Sequence, residues 1–244
     1  MTASAPGDPD LGLVFVHGAG LGGWIWEGMA PELEFPYLFT DFPERHGAVD
    51  ARTRLGLDDY VRHVREQVDA FPAGRLALVA HSLGGVVALK LAAGLGGRVA
   101  GFAGVGAAIP PDGGSFLSSL PLPKRAFLSV AMRVAGTKPP ASALRSGQCN
   151  DLDEQTTDEV VRQFQPESRA VYFERVDAAV PEVPRIYVHL TEDKEFGPSL
   201  QRRMAHNLGA AEVVEIATGH LPMLSKPNEL ARMLNEFARA AGSN

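Results

Sequence analysis

Only one cysteine, Cys149, occurs among the 244 residues. An internal disulfide is therefore excluded, the fold must be held by its core, and a reducing cytoplasm is permitted. The expectation is a cytoplasmic protein in which Cys149 is a free thiol. Positive charge is also scarce: 23 Lys and Arg stand against 29 Asp and Glu, a formal charge of −6. Polyanion affinity comes mainly from clustered cations, so nucleic acid is not expected as a partner. Long apolar runs are missing as well. The nearest candidate, Val99 to Ile109, is short and rich in Gly and Ala, so no membrane span is expected. The opening MTASAPGDPD lacks the basic and then apolar segments of a secretory signal. Repeats and low-complexity tracts are absent, which excludes solenoids and linkers.

What the chain does have is ordinary globular composition, 45% hydrophobic and 21% charged, with enough apolar material for a sizeable core. Short apolar runs alternate with longer amphipathic segments. That is the pattern of parallel strands joined by crossover helices and covered on both faces. Strands are read at Leu13 to His17, Tyr37 to Asp41, Leu76 to Ala80, Val99 to Val105, Ile186 to Leu190 and Val213 to Ile216. From Leu57 to Phe71, a crossover helix places Val61, Val64, Val68 and Phe71 on one stripe. Further helices are expected from Leu83 to about Leu95, through Leu200 to Leu208, and from Asn228, a plausible N-cap, to about Ala241.

Residues 110–184 break the alternation. Proline and glycine come first, then helical segments around Lys124 to Val134, Thr157 to Phe164 and Glu167 to Ala178. The expectation is a single α/β domain over residues 1–244, with a mostly parallel six-stranded sheet. Its core comprises 11–109 and 185–244, and an inserted helical cap occupies about 110–184.

The strongest chemical signal is Ala80-His81-Ser82-Leu83-Gly84-Gly85, between the strand RLALVA and the helical VVALKLAAG. A Gly-x-Ser-x-Gly string in that context is a nucleophile elbow, a sharp turn needing small residues two before and two after the serine. Here Ala80 replaces the first glycine. As a bare string the pattern is equally an ordinary strand-to-helix loop. A helix starting after Ser82 lets the Leu83 N–H donate to an oxyanion. The glycine-rich loop His17-Gly18-Ala19-Gly20 after the first strand offers the Ala19 N–H as second donor, with His17 holding the turn.

A serine needs a base, and the base needs an orienting acid. Of seven histidines, His17 and His81 lie in the loops just described, His46 in a turn, His63 and His206 on helices, and His189 in a strand. His220 follows the last strand, at the carboxyl edge where open α/β sheets place ligands. It also completes the chain order serine, acid, histidine. The acid belongs in Thr191-Glu192-Asp193-Lys194-Glu195, where Asp193 is preferred by position over Glu192 and Glu195. After Val105, Gly104 to Ile109 offers no carboxylate.

At these residues the chain resembles the α/β-hydrolase superfamily over essentially its whole length, and more narrowly the branch containing plant methylesterases and hydroxynitrile lyases. VFVHGAGLGGWIW, VAHSLGG, LTEDKEF and GHLPMLSKPNELARML carry the resemblance. It implies Ser82 as nucleophile, His220 as base, Asp193 as orienter, and Ala19 and Leu83 as oxyanion donors, with no metal or organic cofactor. The lyase branch carries a threonine in the oxyanion turn and a lysine after the catalytic histidine; here Gly18 and Leu221 stand there. Without a cation to stabilise departing cyanide, ester cleavage is favoured. The family's Asp-x-Pro-Gly-x-Gly turn appears as Asp41-Phe42-Pro43-Glu44-Arg45-His46-Gly47, with a residue inserted and a glycine lost. Gly18, Trp24, Trp26, Phe196, Leu221 and Met223 are candidates for the substrate pocket, and Phe116, Leu120, Phe127 and Met132 for the cap side; such aromatic and aliphatic residues near the site are more often core, and the core is favoured for any single one of them. The reading is a serine-dependent hydrolase of a carboxylic ester with a small apolar or aromatic substrate. A lyase, an eliminase or a carbon–carbon-cleaving enzyme on the same triad, or a receptor with a nearly silent one, remain the alternatives.

Overall fold

The computed structural model describes residues 10–45 and 49–243. His46 and Gly47 of the departing turn lie outside the described residues, as do residues 1–9. Six strands form one sheet: β1 (Leu11–Val16), β2 (Tyr37–Phe39), β3 (Arg75–His81), β4 (Val99–Val105), β5 (Arg185–Leu190) and β6 (Glu212–Ile216). Their order is β2-β1-β3-β4-β5-β6, and every pairing is parallel. Every residue of β1 and β4 is buried, as a sheet covered on both faces requires. β2 ends two residues before the expected Asp41: the Thr40 N–H makes its last bond to the Phe15 carbonyl, and the Asp41 N–H goes to the Gln67 side chain at 2.9 Å.

The helices are α1 (Val49–Arg52), α2 (Leu57–Asp69), α3 (Gly84–Leu95), α4 (Phe116–Ser119), α5 (Leu122–Val134), α6 (Ala141–Ser146), α7 (Glu154–Gln163), α8 (Ala170–Phe173), α9 (Pro198–Leu208), α10 (Pro222–Ser225) and α11 (Pro227–Gly242), with 3-10 turns at Gly23–Glu32 and Gly96–Arg98. Among the described residues, no helix is long and apolar enough to cross a membrane.

Two apolar layers flank the sheet. One gathers residues of α2, α3, α9 and the β4–β5 insertion; the other gathers Ile25, Trp26 and Met29 with Leu230, Leu234 and Phe237 of α11. Fully burying one such Leu or Phe is worth about 1.5–3 kcal/mol.

Three helical expectations need correction. On α2 the buried stripe is Leu57, Tyr60, Val64 and Val68, rotated from the valine stripe because Tyr60 packs edge-on against Phe42 and bonds Glu167. Val61 and Phe71 are only partly buried at its margin. The N-cap of α11 is Lys226, with Pro227 opening the helix, so Asn228 lies inside the first turn, where proline's fixed φ is favourable. Between Glu167 and Ala178 only Ala170–Phe173 is helical, since Glu167 and Ser168 are bound to groups far away in the chain.

Candidate active site

Parallel strands deliver their following loops to one edge. The β1, β3, β5 and β6 loops therefore meet at the carboxyl rim. Ser82, between β3 and α3, has φ of 51°, and only Glu44 shares a positive φ among described non-glycine residues. A left-handed serine costs about 1–2 kcal/mol, tolerated only where the surroundings enforce it. Here the Ser82 carbonyl accepts from the Gly85 N–H at 3.1 Å and the Ala108 N–H at 2.8 Å. A Cβ on Gly84 would stand 2.4 Å from the Val16 carbonyl oxygen, and one on Gly85 2.4 Å from that of Ala108. Both glycines are thus sterically required. The elbow pattern explains Gly84 and leaves Gly85 unexplained.

The Ser82 hydroxyl donates to His220 Nε2 at 3.0 Å, and His220 Nδ1–H donates to Asp193 Oδ2 at 2.8 Å. All three residues are buried. Asp193 Oδ1 accepts from the Glu195 and Phe196 amides at 2.7 and 3.0 Å, so both carboxylate oxygens are engaged. The acid and histidine loops are tied directly, with the Glu192 N–H on the Thr218 carbonyl at 3.0 Å. The rival acids face elsewhere: Glu192 is exposed, and Glu195 lies 3.7 Å from Lys124 Nζ. Burial opposes charge on both partners, yet their mutual attraction and hydrogen bond outweigh it. Asp193 is held below the usual carboxylate range and His220 above the usual imidazole value.

Gly18 presses on the elbow; a Cβ there would lie 2.8 Å from the Ser82 Cβ and 2.9 Å from His81 Nδ1. His17 Nδ1–H donates to the Gly18 carbonyl at 2.7 Å, while His17 Nε2 accepts from the Phe42 N–H at 3.2 Å. His17 is therefore a neutral brace. Among the described residues, neither the Ala19 nor the Leu83 amide donates to a protein acceptor.

His81 is a residue of the candidate site that the sequence did not single out. Its Nε2–H donates to the His220 carbonyl at 2.8 Å, and the two rings lie 4.9 Å apart. The residue beside Ser82 thus anchors the His220 loop. Only a contact spanning most of the chain reveals it.

Burial, then the neighbouring His220 charge, pushes His81 down to about 3; burial and Arg45 hold His17 well below the usual value. The folded protein keeps both neutral, whereas the unfolded chain takes up their protons below about pH 6.5. Stability therefore rises with pH in this window and is lost as pH falls through it. His220, with its raised value, contributes stability already complete below pH 6.5. Urea unfolding at pH 5 is expected to show less stability than at pH 7, with His81 alone contributing about 2 kcal/mol at near 1.4 kcal/mol per pH unit and His17 acting in the same direction. His81→Gln should remove that contribution of about 2 kcal/mol, and equal stabilities of the wild type at the two pH values would refute the assignment.

Of the pocket candidates, Phe196 stands edge-on to the His220 ring at 5.3 Å, with Phe116 at 6.2 Å from Phe196. Trp26, Leu221 and Met223 are packed into the α11-side core, and Trp24 lies partly buried against it. Leu120 is buried, Met132 partly so, and Phe127 is 71% exposed on α5, facing solvent rather than the serine's surroundings. Cys149 is buried, which pushes its thiol up to about 11 and leaves it unreactive. Among the described residues, no group of three or more His, Cys, Asp or Glu side chains could hold a metal.

The chain belongs to the alpha/beta hydrolase family, whose sequence model matches residues 13–233, and is an α/β-hydrolase enzyme. It is 29% identical to salicylic acid-binding protein 2 of Nicotiana tabacum, covering 92% of this chain and 96% of that one. Methylesterase 9 of Arabidopsis thaliana is 26% identical over 92% and 97% of the two chains. Norfluorocurarine synthase 2 of Strychnos nux-vomica matches at 46% over 57 residues, 23% of this chain and about a fifth (21%) of the relative. Among solved structures, an extracellular α/β-hydrolase from a Paenibacillus species superimposes with a TM-score of 0.83 at 19% identity, over 94% of this chain and 99% of that one.

Proposed function

We propose that the protein hydrolyses a carboxylic ester of a small apolar or aromatic substrate through an acyl-enzyme on Ser82. The observation that carries this reading is the continuous relay from the Ser82 hydroxyl through both nitrogens of His220 to Asp193, at 3.0 and 2.8 Å. As Ser82 Oγ attacks the ester carbonyl carbon, its proton passes to His220 Nε2. Asp193 keeps Nδ1 protonated and stabilises the imidazolium. The Ala19 and Leu83 amides receive the oxyanion. Collapse breaks the carbon–oxygen bond, and His220 returns the proton to the departing alkoxide. Water, deprotonated by His220, then attacks the acyl carbon; the bond to Ser82 Oγ breaks, His220 returns the proton to Oγ, and the acid is released. Leu221 supports the ester reading, because no cation follows the base to stabilise a leaving cyanide.

The test is a serine-directed aryl phosphonate followed by intact-mass measurement, alongside a panel of short, long and aromatic esters. One phosphonyl group is expected on wild type and none on Ser82→Ala, with turnover concentrated in the aromatic or short apolar esters. Stoichiometric labelling without ester turnover would replace hydrolysis with ligand reception. Failure to label Ser82 in an active enzyme would favour base-catalysed elimination.

A further inference from the structure

The β4–β5 insertion reaches into the oxyanion turn through one buried carboxylate. Glu167 Oε1 accepts from the Gly20 N–H at 2.9 Å, and Oε2 accepts from the Tyr60 hydroxyl at 2.9 Å. The Arg45 guanidinium donates to Oε1 as well. The Gln165 N–H donates to the Gly20 carbonyl at 3.0 Å. Gly20 has φ of 77°, and a Cβ on it would lie 2.0 Å from the Phe164 ring. Residues 164, 165 and 167 therefore clasp Gly20 on three sides.

The direction of the Ala19 N–H depends on the peptide planes around it. The Gly18–Ala19 plane is fixed by its carbonyl, which accepts from His17 Nδ1–H at 2.7 Å and from the Leu21 N–H at 3.4 Å. The next plane, Ala19–Gly20, has its N–H held by Glu167. The one after, Gly20–Leu21, has its carbonyl held by Gln165. Removing the Glu167 acceptor frees the middle plane, which leads on to the Leu21 N–H; that N–H is one of the two donors on the Gly18 carbonyl, so the plane carrying the Ala19 N–H loses part of its brace. A buried carboxylate is costly unless its lone pairs are satisfied. Glu167 is 2% exposed, and its donors come from the oxyanion turn, from Arg45 and from α2. Its own carbonyl accepts from the Thr137 hydroxyl at 2.5 Å, which fixes the backbone behind it.

We infer that Glu167 is a positioning residue for ester cleavage, holding the Ala19 oxyanion donor in register through the Gly20 amide. The assignment rests on the esterase reading above. Seating of the insertion and assembly of the oxyanion hole then become one event, since the same short segment does both.

The test compares Glu167→Ala, Glu167→Gln and a remote destabilising control, Leu234→Ala, on the best ester of the panel. Loss of a whole oxyanion donor costs on the order of 10²–10³ in kcat, so a misaligned one is expected to cost about 10–100-fold. Glu167→Ala should show that loss in kcat with KM within about threefold. Its Ki for a trifluoromethyl ketone, which places an oxyanion in the hole, should rise by the same factor. Glu167→Gln keeps an acceptor oxygen for Gly20 and should restore kcat to within about threefold. Leu234→Ala should lower Tm and leave kcat unchanged. A Glu167→Ala enzyme with wild-type kcat and inhibitor affinity overturns the inference, as does a Leu234→Ala enzyme that loses kcat equally. If Glu167→Ala does not fold, the Gly20 amide resonance decides: it should lie downfield in wild type and move upfield in the nearly isosteric Glu167→Gln. A resonance that does not move overturns the contact. Retained turnover in Ser82→Ala would sink the esterase reading, while the amide shift tests Glu167 regardless.

Discussion

Replacing Ser82 with alanine is expected to lower kcat for a cleaved ester by roughly 10⁴–10⁶-fold while the protein stays folded. Alanine removes only the Oγ; the backbone bonds from Gly85 and Ala108 to the residue-82 carbonyl persist. The Asp193–His220 bond is likewise untouched. What survives is the catalysis supplied by binding and by the oxyanion donors, so the residual rate should still exceed that of water. The substitution also leaves the left-handed backbone at 51° in place, so stability should change little. Ser82→Gly, equally inactive, should gain on the order of 1 kcal/mol, because glycine adopts that conformation without penalty. Thermal unfolding of the two variants beside steady-state assays separates lost chemistry from lost structure. An alanine variant within tenfold of wild-type turnover would remove Ser82 from the reaction.

The parts legible in the sequence were those with a local signature. Period and composition found all six strands, with ends displaced by a residue or two, as at Asp41, whose N–H bonds the Gln67 side chain. The order of Ser82, Asp193 and His220 along the chain pointed to three residues that the fold brings into hydrogen-bond contact. Residues whose role depends on a distant partner left no such trace. Gly85 is required because Ala108, on the next strand's loop, comes close to it. His81 matters through the His220 carbonyl, and Glu167 through Gly20, 147 positions away. The segment around Glu167 reads as helix by composition, yet its polar groups satisfy tertiary partners first. Tertiary bonding of this kind overrides helix propensity, which is a weak prior.

Asp193→Asn is expected to cost about 10⁴-fold in kcat with the geometry preserved. Asparagine can keep an oxygen for the Glu195 and Phe196 amides, so the loop should hold. Its amide then faces His220 Nδ1 and donates to it, which makes that nitrogen an acceptor and moves the imidazole proton to Nε2. An Nε2–H cannot receive the proton of Ser82, and the relay stops at its first step. The pH profile carries a second signature. In wild type the Asp193 charge raises His220 against the opposing effect of burial. Because only the neutral imidazole is a base, kcat/KM should fall as pH drops through a value above 6.5. With the charge removed, burial is the largest remaining influence on His220, the charges of Glu195 and Lys124 opposing each other, and the acid limb should move below 6.5. Measuring kcat/KM from pH 5 to 9 in both enzymes tests tautomer and charge together. An unshifted acid limb, or a loss under tenfold at pH 8, would mean that Asp193 neither orients nor charges the base, and the acid would have to be sought elsewhere on the rim.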